Sequence, residues 1–111
     1  MTASATKERP ALPACLRDVM QERIRQQAKG YTSATDQRYT EGQLVEAAAC
    51  YALSSIRQVP RGRKPGLWPW GSNSWKPSYD RGDLVKAAAL LLAEIERLDA
   101  KDVPNVQKSQ C

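Results

Sequence analysis

Two stretches of the sequence repeat one frame, Gly-x-Leu-Val-x-Ala-Ala-Ala. The first copy lies in GQLVEAAACYAL at residues 42–53, and the second lies in GDLVKAAALLLA at residues 82–93. The apolar spacing of both copies predicts helices. Because nothing larger than a methyl group projects from the alanines, two such helices can pack with their backbones close together. We expect the two copies to pack on each other, within one chain or between the chains of a dimer; a duplicated ancestral hairpin is a further explanation of the repeat.

Apolar residues at helical spacing predict an all-α domain, a small three-helix bundle, within residues 13–103. The predicted helices cover about residues 14–29, 41–56 and 81–101. Residues 57–80 hold all three tryptophans, four prolines and three glycines, which predicts a long connection that we call the Trp-rich loop. Residues 1–12 and 104–111 lack periodicity, which predicts a flexible N-terminal arm and a polar tail.

The ends and faces of the first two helices can be predicted from single residues. The first helix carries apolar residues at helical spacing, namely Leu16, Val19, Met20 and Ile24. Its polar face is expected to meet solvent and carries Arg17, Glu22, Arg25, Gln26 and Lys29. The string Thr40-Glu41-Gly42-Gln43 predicts a capping box, in which the Thr40 hydroxyl and the Gln43 amide bond free backbone N–H groups at the start of the second helix.

The third predicted helix combines an acidic start with a long apolar stripe. The carboxylates of Asp80 and Asp83 suit a helix N-terminus. The stripe has heptad-like spacing and consists of Leu84, Ala88, Leu91, Ile95 and Leu98. The apolar seams of the second and third helices exceed what one lone helix can cover, so we expect a homo-oligomer.

Charge and cysteine usage narrow the class of partner. Seventeen Lys and Arg residues against twelve acidic residues give a net charge of +5, which favours an anionic partner or only keeps a small domain soluble. The three cysteines are widely spaced and the chain has no histidine, so we do not expect a structural zinc site. Cys50 is expected to be a small buried apolar residue. The longest apolar run, AAALLLA, is far too short to span a membrane.

Without histidine, acid–base chemistry would fall to other side chains. The acidic residues to consider are Glu22, Asp36, Glu41, Glu46, Asp83, Glu94, Glu96 and Asp99. The helical Glu-x-x-Glu pair by which MazG-like nucleotide pyrophosphohydrolases hold magnesium does not occur in the sequence. Glu94, Glu96 and Asp99 are therefore expected to balance Lys and Arg on exposed faces.

The Trp-rich loop interleaves aromatic and basic residues. Flat apolar rings beside fixed positive charge can stack a base and hold its phosphate. The same rings can instead fold inward and cap a helical core that has no phenylalanine. The two arrangements are compatible if one tryptophan anchors the loop and another faces a ligand.

Two long strings, ERIRQQAKGYTSATDQRYTEGQLVEAAACYA and WPWGSNSWKPSYDRGDLVKAAALLLAEIERLD, resemble a family of small proteins encoded by bacteriophages and prophages. The resemblance covers about residues 22–99. The chain departs from the family pattern at Thr35-Asp36-Gln37, where the family tends to carry His-Asp-Asp, and at Ser74, where it tends to carry a second tryptophan beside Trp75. By analogy, the resemblance implies a protein of the host cytoplasm that acts by binding.

The leading hypothesis is a non-enzymatic phage protein that counters a host defence system by sequestering a nucleotide-type anion, with no cofactor and no membrane association. The candidate ligand-binding residues are Arg25, Lys29, Tyr31, Arg61, Arg63, Trp68, Trp70, Trp75, Lys76 and Arg81. One alternative is a protein-binding inhibitor of a bacterial defence complex. A second is a MazG-like nucleotide pyrophosphohydrolase, the one case that requires magnesium. Duplex DNA ranks lower, because no helix carries a concentrated basic face.

Overall fold

The computed structural model describes the backbone of residues 11–28 and 40–102 and the side chains up to residue 100. Within these residues the chain forms three α-helices and no strand. The helices are α1 (Ala14–Ala28), α2 (Gln43–Ser55) and α3 (Arg81–Asp102), with one 3₁₀ turn at Ser72–Ser74. The predicted all-α class and three-helix arrangement are therefore confirmed. None of these described helices is both long enough and apolar enough to cross a membrane.

Some of the predictions fall on residues that the structure does not describe. Lys29, Tyr31 and the Thr35-Asp36-Gln37 string lie outside the described residues. Residues 1–10 of the predicted arm and the whole predicted tail, 104–111, lie outside them as well. The predictions made for these segments stay predictions.

Helices α2 and α3 pack along an alanine-rich contact. Ala47 of α2 and Ala87 and Ala93 of α3 belong to one buried cluster. At one end of the contact, Ser54 in the last turn of α2 bonds Asp83 in the first turn of α3, so the helices run antiparallel. The two repeated frames therefore pack on each other within a single chain.

The Trp-rich loop supplies the two largest side chains of the described core. Trp68 and Trp75 are only 5% and 8% exposed. Tyr51 of α2 stacks on Trp75 with ring centroids 4.8 Å apart, and its ring meets Trp68 edge-on at 5.3 Å. Because the chain has no phenylalanine and the helix contact is rich in alanine, these rings supply much of the volume that fills the core.

Two carboxylates organise the junction between the loop and α3. Asp83 is completely buried and accepts hydrogen bonds from the Ser78 and Tyr79 backbone N–H groups, both at 2.8 Å. Asp80 precedes the helix, and its carboxylate accepts the N–H of Gly82 at 2.9 Å. The prediction that Asp80 and Asp83 serve the start of this helix is confirmed.

The capping box predicted at Thr40 is wrong. Helix α2 begins at Gln43, and Gly42 is its N-cap with a left-handed backbone, φ 88°. No side chain caps this helix; Gln43 Oε1 instead accepts the N–H of Glu41 at 2.8 Å. Glycine takes a left-handed φ without steric cost, and here this places the helix start two residues beyond the position that Thr40 could cap.

Helix α1 packs with its polar side inward, opposite to the expectation from its sequence. Arg23 and Gln26 are buried, whereas Leu16, Met20 and Ile24 are each about half exposed. Arg23 forms an ion pair with Glu96 of α3, with Nη2 2.9 Å from Oε1. Ion pairing holds this helix on the domain, so its apolar face is left without cover among the described residues.

The predicted apolar stripe of α3 also lies on the surface. Its large members are each about half exposed, namely Leu84, Leu91, Ile95 and Leu98. The buried face of the helix is a different one and includes Asp83, Ala87, Leu90 and Ala93. The seam is therefore not part of the core of the single chain.

Candidate ligand-binding cleft

A cleft of about 780 Å³ opens where α1, α2, α3 and the Trp-rich loop come together. Its walls combine aromatic, apolar and cationic side chains drawn from all four segments. The lining residues are Glu22, Arg23, Arg25, Gln26, Leu44, Tyr51, Trp68, Trp70, Asn73, Ser74, Lys76, Lys86, Leu90 and Ala93. A cavity of this size and composition suits a small-molecule ligand.

The aromatic wall of the cleft is a layered cluster. Trp70 is half-buried and meets Trp68 edge-on, with ring centroids 5.4 Å apart. Trp68 is held in place by its Nε1, which donates to Gly71 O and Ser74 Oγ, both at 3.2 Å. The fixed Trp68 ring thus supports Trp70, which is the more exposed of the two at the cleft.

The Tyr51 hydroxyl ties the aromatic cluster to the loop backbone. It accepts a hydrogen bond from the N–H of Lys76 at 3.2 Å. Burial is the main cause that raises the pKa of Tyr51, so the phenol keeps its proton at neutral pH. A neutral hydroxyl in the cleft wall adds no charge that would repel an anion.

Lys76 and Lys86 meet on one side of the cleft. Lys86 Nζ donates to the backbone oxygen of Lys76 at 2.5 Å and lies 5.2 Å from the centre of the Tyr51 ring. Its Nζ is also 3.8 Å from Oδ1 of Asp83. The ammonium group is thus positioned by the loop, the core ring and the buried carboxylate together.

Two arginines of α1 complete the basic lining, and each already has a carboxylate partner. Arg25 binds Glu22 through two bonds of 2.9 and 2.6 Å, which raise the pKa of Arg25. Arg23 bonds Glu96. Of the described residues that line the cleft, four are cations and one, Glu22, is a carboxylate. The cleft therefore carries an excess of positive charge.

A second, shallower depression adjoins the cleft and shares Glu22, Arg25 and Lys86 with it. Arg81 lies in this depression and forms an ion pair with Asp18 of α1, at 2.9 Å. Arg25 and Lys86 thus stand between the two depressions.

The structure brings together four of the residues predicted to bind a ligand and separates others. Arg25, Trp68, Trp70 and Lys76 line the cleft, and Arg81 lies in the adjoining depression. Arg61, Arg63 and Trp75 do not line the cleft. Arg61 stacks over Tyr79 at 4.6 Å, Arg63 is exposed to solvent, and Trp75 belongs to the core.

Sequence reasoning missed several residues of the cleft. They are Arg23, Gln26, Tyr51, Asn73 and Lys86, and none of them was selected as a candidate site residue. Gln26 was placed on the polar face of the first helix, which was expected to meet solvent, and Tyr51 of the second helix was not singled out. Only the contact between helices shows that both residues line one cleft.

Three of the described glutamates are each engaged with a separate arginine. Glu22 bonds Arg25, Glu94 bonds Arg97 and Glu96 bonds Arg23. Over the part of the chain that the structure describes, no three Cys, Asp or Glu side chains come together to hold a metal ion. Asp36 is outside that part.

A scan against protein-family models and searches of curated proteins and of solved structures gave no match to this chain.

Proposed function

We propose that this chain is a binding protein that captures a nucleotide-type anion in the cleft, with Trp70 against the base and Lys76, Lys86 and Arg25 at the phosphate. The observation that supports this most directly is the meeting of an aromatic wall with four cations in one cavity. Stacking on an aromatic ring is tolerant of base identity, and fixed cations bind phosphate.

The two lysines are the best-placed phosphate ligands. The ammonium of Lys86 is held beside the cleft by the Lys76 backbone and by the Tyr51 ring, so it loses little freedom on binding. Arg25 is shared with Glu22, and a phosphate must compete with that carboxylate for the guanidinium. Lys86 also has a carboxylate nearby, Asp83 at 3.8 Å, so Lys76 in particular should contribute more affinity than Arg25.

Glu22, the single acidic side chain among the described residues that line the cleft, favours binding over catalysis. Glu22 accepts hydrogen bonds from Arg25 and, at 3.3 Å, from Gln26, so its carboxylate oxygens are engaged with neighbouring side chains and are not presented to a ligand as a base. The resemblance to bacteriophage and prophage proteins supports the wider part of the proposal: the chain sequesters a nucleotide signal of a host defence system in the host cytoplasm.

The test is tryptophan fluorescence and thermal melting of the purified protein against mono-, di- and cyclic nucleotides, with and without magnesium, followed by chemical analysis of the recovered ligand. We expect a shift in both signals with at least one nucleotide, and recovery of that nucleotide intact. A cleaved nucleotide would instead establish hydrolysis. No shift with any nucleotide would refute the proposal and favour a protein target.

Matched variants connect the signal to the cleft. Trp70→Ala should weaken binding roughly 5- to 150-fold, because stacking on one ring contributes about 1–3 kcal/mol. Lys76→Gln should weaken it less and should reduce its dependence on salt. Leu67→Ala, an exposed change in the same loop, and Arg63→Gln, an exposed cation outside the cleft, serve as controls. Equal losses in the controls would show that the nucleotide binds elsewhere.

A further inference from the structure

The exposed stripe of α3 has the pattern of a coiled-coil seam. Its members, spaced alternately four and three residues apart, are Leu84, Ala88, Leu91, Ile95 and Leu98. Leucine occupies every d position of this heptad, while Ala88 and Ile95 occupy a positions. An apolar stripe at a and d positions is the surface by which helices pair in a coiled coil.

The rest of the described chain leaves this face open. Helix α2 packs on the side of α3 that carries Asp83, Ala87 and Ala93. Helix α1 contacts a further side, where Arg23 pairs with Glu96. The four large members of the stripe remain 44–54% exposed. The stripe is a third face of the helix, distinct from both of these contacts.

We propose that this face pairs with the same face of a second copy of the chain, with the two α3 helices antiparallel about a twofold axis that crosses the stripe between Ala88 and Leu91. In this register Leu84 of one copy meets Ile95 of the other, and Ala88 meets Leu91. Each alanine then has a leucine opposite it, so the layers fill without a gap. The contact is isologous and closes as a dimer.

Charge complementarity selects the antiparallel orientation. Arg81 stands one heptad before Ala88, at the end of the stripe; it pairs with Asp18 of its own chain at 2.9 Å, but its side chain is still 60% exposed. In the antiparallel register it lies opposite Leu98 and beside the exposed Asp99 of the second copy. A parallel pair would place Arg81 against Arg81 of the second chain and Ala88 against Ala88 of the second chain. It would also place Glu94 near Asp99 of the second chain. The parallel arrangement thus combines two like-charge contacts with an empty layer.

The mass of the protein in solution tests the interface. We expect sedimentation or light scattering to give an assembly whose mass falls on the substitution Ile95→Lys. Ile24→Lys is the matched control, because Ile24 is 59% exposed on α1 and Ile95 is 54% exposed on α3. Circular dichroism should show that both variants remain folded, since neither side chain is in the core. A wild-type monomer at all concentrations, or a mass lowered by Ile24→Lys alone, would overturn the proposal.

Disulfide cross-linking tests the orientation. In a background with Cys15→Ser and Cys111→Ser, the single variants Leu84→Cys and Ile95→Cys are oxidised separately and as a mixture. The antiparallel register predicts a cross-linked dimer in the mixture and none with either variant alone. In this register each of the two residues is offset by about 16 Å along the helix axis from the same residue of the second chain. Cross-linking of Leu84→Cys with itself would refute the antiparallel pairing.

Discussion

Ser54 donates a hydrogen bond of 2.7 Å to Asp83, and this bond joins the last turn of α2 to the first turn of α3 inside the core. The same carboxylate accepts the N–H groups of Ser78 and Tyr79, the last residues of the Trp-rich loop before Asp80. One buried side chain therefore connects the two helices and the loop between them.

The substitution Asp83→Asn should lower the free energy of unfolding by about 2–3 kcal/mol, because it removes charge-assisted bonds and turns an amide NH₂ toward N–H donors. Urea unfolding followed by circular dichroism measures the change. Asp80→Asn is the control, since Asp80 is exposed and its cap can be kept by an amide oxygen. A loss no larger than that of the control would contradict the central role of Asp83.

Stability should fall in acid. The Ser78 hydroxyl bond, with the Gly82 N–H bond, lowers the pKa of Asp80, and the Arg97 bond lowers the pKa of Glu94. A carboxyl whose pKa is lower in the folded state contributes stability that is present above the unfolded pKa, about 4, and is lost as pH falls through the folded value. Melting temperatures measured from about pH 5 downward should therefore decrease. The decrease should be shallower in Asp80→Asn, and an equal slope would contradict the assignment.

Substitutions of Trp68 and of Trp70 should have different effects on stability and on nucleotide binding. Trp68→Ala should cost about 3–5 kcal/mol, as truncation of a buried aromatic does. Trp70→Ala should cost less stability, because its side chain is only half-buried, and more ligand affinity. Unfolding and nucleotide titration on the same two proteins measure both effects. Equal effects of the two changes on both measurements would show that the rings have no separate roles.

Cys50 should resist thiol reagents in the folded protein. Its side chain is buried, and burial is the main cause that raises the pKa of the thiol. Maleimide labelling at neutral pH, read by peptide mass spectrometry, should modify the exposed Cys15 in the native protein and Cys50 only after denaturation. Rapid native labelling of Cys50 would indicate that α2 opens readily.

The alanine contact should tolerate no added volume. Ala47→Leu should destabilise the protein by about 1–3 kcal/mol or more, because Ala47 is fully buried in the contact with α3. Ala49→Leu, in the same alanine run but only partly buried, should have a smaller effect. Thermal melting compares the two, and the reverse order would contradict the packing described.

The architecture was predictable where the residues of one helix by themselves favour a particular start or packing surface. The alanine runs predicted the pairing of α2 with α3, and the acidic residues at Asp80 and Asp83 predicted the start of α3, because each depends on neighbouring residues along one helix. The orientation of α1 was not predictable in this way. The periodicity of α1 identifies an apolar face but does not determine whether residues of this chain or another molecule cover that face.

The cleft was predictable in part for the same reason. Trp70 and Lys76 belong to a loop whose composition stands out, and they were selected from it. Lys86 was not selected, because its place in the cleft depends on contacts with the Tyr51 ring and the Lys76 backbone. These contacts form only when α2, α3 and the loop are assembled.

The attachment of the Trp-rich loop determines how a ligand would be received. Trp68 anchors the middle of the loop in the core, and Asp83 fastens its end, so the backbone around Trp70 and Lys76 is held in place by bonds that belong to the folded domain itself. A ligand entering the cleft therefore meets a surface that is already arranged, and little of its binding free energy is spent on ordering the chain. Association should be limited by diffusion and charge attraction rather than by a slow rearrangement of the loop.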